Sequence, residues 1–161
     1  MTILMFLIKP KYVMDTCSLT AMRRVYPFDV FPGAWKKLDG IALSGTLIST
    51  EDVFMELEEQ DDVVYGWAKK HSYLFLPLDA ETQIETANIL KSYPNLLDRK
   101  KKKSSADPFL IACAKINACS LVTEERPSGG PEKMKIPDVC KEMGIECISI
   151  LEVFRREGLR L

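Results

Sequence analysis

The sequence carries one histidine, His71, in 161 residues. That excludes a histidine-rich metal centre and makes any serine–histidine–aspartate triad depend on a single side chain. Five cysteines are present (Cys17, Cys113, Cys119, Cys140 and Cys147), but no CxxC pair and no cysteine–histidine cluster. A zinc ribbon and a dithiol motif are therefore not expected. The odd count reads as small buried hydrophobes of a reducing, cytoplasmic compartment and not as a disulfide frame. No apolar run approaches the roughly 20 residues a membrane span needs. The apolar lead over residues 1–8 has no basic flank and no small-residue cleavage site, so no signal peptide is expected. A glycine-rich phosphate loop and a dinucleotide fingerprint are both missing, which argues against nucleotide cofactors. The net charge is −1, so attraction to nucleic acid must come from local basic clusters.

What is present is an ordinary globular composition, 47% apolar and 28% charged, in a chain long enough for one domain spanning 1–161. Strands are expected over 11–15, 46–50, 73–78, 119–123 and 145–150, the third at an edge because of Pro77. Helices are expected over 19–26 behind a Ser18 cap, 51–60 behind a Ser49/Asp52 capping box, and onward to Lys70 after an interruption at Asp61-Asp62. Further helices are expected over 80–92 behind Asp79, 109–117, from Ile136 to near Gly144, and over 151–157. Pro27 ends the first helix, and residues 27–45, with two prolines and three glycines, read as a loop with a short helix around Trp35–Leu38. Five alternations of strand and helix predict an α/β fold of three layers, α/β/α, around a parallel sheet of about five strands.

Acids recur just past strand ends. Asp15 follows the first strand, Glu56 lies in the helix after the second, Asp107 opens the apolar helix before the fourth, and Glu124 and Glu125 follow the fourth. In a doubly wound sheet these ends share one side. Carboxylates brought together repel unless a cation neutralises them, and an all-oxygen set suits Mg²⁺ or Mn²⁺. Each acid also has a plainer reading. Asp15 and Asp107 serve equally as helix caps, the latter with Pro108 at the first helical position. Glu56 falls with Asp52 and Glu59 on one helical face that can simply be solvated.

The series Met14-Asp15-Thr16, Ser18, an acid on the second helix, Ser104-x-x-Asp107-Pro108-Phe109-Leu110-Ile111-Ala112 and Leu121-Val122-Thr123-Glu124-Glu125 resembles a PIN domain. It is most similar to the small single-domain proteins that include toxin ribonucleases of type II toxin–antitoxin pairs, over about residues 11–155. The resemblance implies a metal-dependent endoribonuclease with Asp15, Glu56, Asp107 and Glu125 as ligands to Mg²⁺ (or Mn²⁺), and Glu124 as the adjacent alternative for the fourth acid. It further implies that Thr16, Ser18 and Thr123 orient ligands or waters, that a metal-activated water attacks the phosphate, and that the products carry 5′-phosphate and 3′-hydroxyl ends. The expected partners are RNA, a cognate antitoxin protein and a second copy in a homodimer, with no membrane.

Arg99, Lys100, Lys101, Lys102 and Lys103 precede the Asp107 motif, and Lys36-Lys37 adjoin Trp35. These are candidates to hold RNA, the lysines at phosphates and Trp35 or Tyr93 on bases, although a lysine run is also simply a solubilising segment. His71 is expected at a surface helix end. Two other readings stand beside the ribonuclease. One is a PIN-fold module that binds RNA or protein without catalysis. The other is an aspartyl-nucleophile phosphatase, disfavoured because that chemistry needs an aspartate where Cys17 stands.

Overall fold

The computed structural model describes residues 9–96, 107–128 and 134–161. The strands are β1 (Tyr12–Met14), β2 (Leu47–Thr50), β3 (Phe75–Leu76), β4 (Ser120–Val122) and β5 (Cys147–Ile148). All pair in parallel, in the order β3-β2-β1-β4-β5. Among the described residues the helices are α1 (Thr16–Val25), α2 (Pro32–Leu43), α3 (Glu51–Gln60), α4 (Asp62–Lys70), α5 (Ala80–Ser92), α6 (Asp107–Asn117), α7 (Ile136–Met143) and α8 (Ile150–Arg156). None is long and apolar enough to cross a membrane.

The first strand, β1, lies at the centre of the sheet; the following strands build outward to β3, and the chain then crosses back to lay β4 on the other side of β1. Right-handed crossovers put helices on opposite faces when the direction of travel reverses. Accordingly α1, α3 and α4 pack together on one face, while α5, α6 and α7 pack together on the other. The expected three-layer α/β/α architecture is what is found.

The central strands are mostly apolar and largely buried because both faces are covered. Val13, Met14, Leu121 and Val122 are fully buried, as are Leu110, Ile111 and Ala112 of α6. Asp79 caps α5 by accepting from Thr82 N at 2.8 Å, and Gly144 closes α7 in the left-handed region at φ +72°.

Several local expectations are corrected. The expected loop over 27–45 contains the twelve-residue helix α2, which Pro32 starts at its first position. Its inward face of Ala34, Trp35, Leu38 and Ile41 outweighs the cost of Gly40. Trp35 is a core residue: its ring meets Trp67 edge-on at 6.3 Å and its Nε1 donates to Tyr26 O at 2.7 Å. Stacking on RNA is therefore not open to Trp35. His71 is buried too, packed on the Trp67 ring at 4.6 Å, with Nδ1 2.8 Å from the Tyr73 hydroxyl and Nε2 3.1 Å from Asp39. The Ser49/Asp52 capping box does not form, because the Ser49 hydroxyl donates to Met14 O at 2.6 Å and ties β2 to β1. The third strand is limited to Phe75 and Leu76, at the predicted edge, with residues 72–74 in a 3-10 turn.

Candidate active site

The reversal of strand order leaves a crevice beyond the carboxyl ends of β1 and β4, where ligands bind in open parallel sheets. Backbone bonds fix its two lips. Asp15 N donates to Val122 O at 2.9 Å, and Thr123 N donates to Ile148 O at 3.0 Å. Asp15 and Thr123 are thereby the residues that leave β1 and β4 side by side.

Asp15 is 4% exposed. It occupies the residue before α1, yet its carboxylate makes no side-chain cap to that helix. Oδ2 instead accepts from Thr123 Oγ1 at 2.9 Å and from Cys17 Sγ at 3.0 Å. Burial raises the Asp15 carboxyl above its ordinary value. The bonds from Cys17, Thr123 and the Thr16 backbone pull the other way, and the Glu56 charge adds to the rise. The helix-cap reading of Asp15 is set aside by this geometry.

Glu56 stands across from α1 on α3, half-buried. Thr16 Oγ1 donates to its Oε2 at 2.5 Å, so adjacent residues of one turn hold two acids, one as itself and one through a hydroxyl. Asp52, one helical turn before Glu56, is a residue the sequence reading left out of the site. Its Oδ2 is buried without a hydrogen-bond partner, and its carboxyl is raised by burial, then by the charges of Glu51 and Glu56. The i,i+4 spacing to Glu56 was the available signal.

The remaining expected residues fall as follows. Asp107 opens α6, partly buried. A helix that crosses back from the carboxyl edge starts at that edge, so α6 begins on the same side as Asp15. Glu124 Oε1 accepts from Ile150 N at 2.9 Å, and Glu125 Oε2 accepts from Ile136 N at 3.3 Å. These two carboxylates thus sit on the first amides of α8 and α7, where helix dipoles favour negative charge. Thr123 is buried and also accepts from Glu125 N at 3.1 Å, in keeping with an orienting role. Ser18 differs from expectation: its hydroxyl is fully buried and has no hydrogen-bond partner. Cys17, which the sequence reading took for a packing residue, makes the contacts assigned to Ser18. Arg99, Lys100, Lys101, Lys102 and Lys103 lie outside the described residues.

Beside Thr123 the crevice opens into a cleft of about 420 Å³ lined by Glu124, Glu125, Arg126, Cys147 and Ser149. Arg126 is exposed at its edge.

Asp15 and Glu56 offer hard oxygen donors, and the orphaned Asp52 oxygen lies on the same helix. This donor chemistry fits a hard divalent cation, which commonly takes one or two carboxylates and completes its shell with water and phosphate oxygens. Among the described residues no three histidine, cysteine, aspartate or glutamate side chains are grouped so that they could hold a metal ion.

Comparison with curated proteins gives no match. Residues 12–161 match the family described as a domain of unknown function (DUF4411), and the chain belongs to that family.

Proposed function

We propose that this chain is a metal-dependent endoribonuclease of PIN-like build, acting as the toxin of a type II toxin–antitoxin pair. The observation that carries the reading is the buried Asp15 carboxylate at the switch point, raised by burial and further by the Glu56 charge. A carboxylate so buried is costly in its charged form, and a bound divalent cation would offset that cost. The toxin assignment and its partners, an antitoxin and a second copy of the chain, rest on the likeness of the sequence motifs.

Asp15 and Glu56 would hold Mg²⁺ or Mn²⁺, with Asp107 and Glu125 as the further ligands implied by the PIN likeness. When bound, the cation would supply Lewis acidity and a water of lowered pKa for attack on phosphorus. The chain's own side chains do the positioning. Thr123 and Cys17 fix the rotamer of Asp15, and Thr16 fixes Glu56. Arg126, exposed beside the cleft, is a candidate phosphate contact.

A second reading is a PIN-like module that binds RNA or protein without cutting it. It is favoured by the placing of Glu124 and Glu125 on helix N-termini, which occupies the carboxylates expected to complete the site.

The test is incubation of the purified chain with end-labelled, unstructured RNA in Mn²⁺, with and without chelator. The ribonuclease reading predicts chelator-sensitive fragments with 5′-phosphate and 3′-hydroxyl ends. Retention of intact RNA on the protein supports the binding module.

A further inference from the structure

We propose that Cys17 is the positioning residue of this site, a thiol that orients the Asp15 carboxylate and pins the start of the Glu124-Glu125 segment through the same sulfur. The inference rests on the reading of Asp15 as a metal ligand and deepens it.

Cys17 is the second residue of α1, so the first helical turn swings its side chain back over the end of β1. Three polar atoms meet Sγ: Asp15 Oδ2 at 3.0 Å, Thr123 Oγ1 at 3.3 Å and Glu124 N at 3.3 Å. Proton bookkeeping settles their roles. The Thr123 hydroxyl and the thiol own one proton each, and both are directed at Asp15 Oδ2. The approach of Sγ to Thr123 Oγ1 is then a packing contact. Glu124 N can only donate, so the sulfur accepts on that side. One atom therefore gives a hydrogen bond to the lip formed by β1 and receives one from the lip formed by β4.

This arrangement needs a protonated thiol. Partners of this kind orient a ligating carboxylate and typically change metal affinity by about 10- to 100-fold. The role does not extend to Ser18, whose buried hydroxyl meets no partner.

Two substitutions test it. Cys17→Ala deletes donor and acceptor, and Cys17→Ser restores both on a smaller atom. The readouts are Mn²⁺ affinity by paramagnetic resonance, the NMR shift of the Asp15 carboxyl carbon, and hydrogen exchange at the Glu124 amide. The expectation for Cys17→Ala is Mn²⁺ binding weakened by about 10- to 100-fold, a displaced Asp15 signal and faster exchange at Glu124. Cys17→Ser should return all three toward wild type. A Cys17→Ala protein that matches wild type in all three overturns the proposal, as does a serine variant as impaired as the alanine one. Wild type that binds no Mn²⁺ refutes the metal reading instead. The carboxyl shift and the Glu124 exchange then still decide whether Cys17 positions these groups.

Discussion

Thr123 Oγ1 donates to Asp15 Oδ2 across 2.9 Å, and that bond joins the residue leaving β4 to the residue leaving β1. The two strands were laid down more than a hundred residues apart in sequence. Their adjacency is what makes an isolated strand-end aspartate into part of a site. Thr123→Val keeps the shape and removes the donor. It is expected to destabilise the fold by about 1–3 kcal/mol, since Glu125 N also loses its acceptor. Mn²⁺ binding should weaken by about 10- to 100-fold. Denaturant unfolding and metal titration of the same variant measure the two effects separately.

Asp15 itself should trade stability for function. Its carboxyl is raised above the ordinary 3.8, first by burial. The folded chain therefore holds that proton more tightly than the unfolded chain. Stability from the protonated form is complete below the ordinary value and is lost as pH rises through the raised one. Asp15→Asn removes the charge and retains an acceptor for Thr123 and Cys17. At neutral pH without metal it should be more stable than wild type by about 0.5–2 kcal/mol. The gain should shrink toward acidic pH, and added Mg²⁺ should raise Tm in wild type alone. Urea unfolding at neutral and acidic pH checks the sign; a less stable asparagine variant at neutral pH would contradict it.

Trp35 separates a core role from an RNA-binding one. Its ring is buried against Trp67 and its indole N–H is satisfied by Tyr26 O. Trp35→Ala should cost about 3–5 kcal/mol of stability through the cavity it leaves. RNA affinity measured on the folded fraction should not change. A selective loss of RNA binding at unchanged Tm would restore the stacking role.

Glu124 is expected to act on α8. Its carboxylate receives the Ile150 amide, which begins a helix burying Ile150, Val153 and Phe154. Glu124→Ala should cost about 0.5–2 kcal/mol and speed hydrogen exchange at the Ile150 amide. Glu124→Gln keeps the acceptor, so both effects should be smaller, with Mn²⁺ affinity unchanged. Lost metal binding in the glutamine variant would make Glu124 a ligand.

What could be read from the sequence followed physical locality. Asp79 before a helical run, Asp61-Asp62 between two helices and Gly144 after Met143 are complete signals within a few residues, and each behaves as expected. The alternation of strands and helices likewise carries the layered sheet. The α2 helix is hidden because Pro32, Gly33 and Gly40 speak for a loop, while its support comes from distant residues such as Trp67, which meets Trp35. The choice between Ser18 and Cys17 was equally out of reach. Both follow Asp15 closely, and only the position of Thr123 shows which side chain faces the crevice. His71 does end α4, as expected, but it is buried and not at the surface, because Asp39 of α2 is brought against it by packing that its own neighbours in sequence do not announce.

The most direct test of the central claim is the rate of RNA cleavage in saturating Mg²⁺ by wild type and by Asp15→Asn, each repeated in excess chelator. Wild type should cut and Asp15→Asn should be slower by at least about 100-fold, exceeding the loss typical of an outer-shell partner. Both should fall to background with chelator. Cleavage that survives chelator, or that proceeds equally in the asparagine variant, would contradict a metal-dependent ribonuclease centred on Asp15.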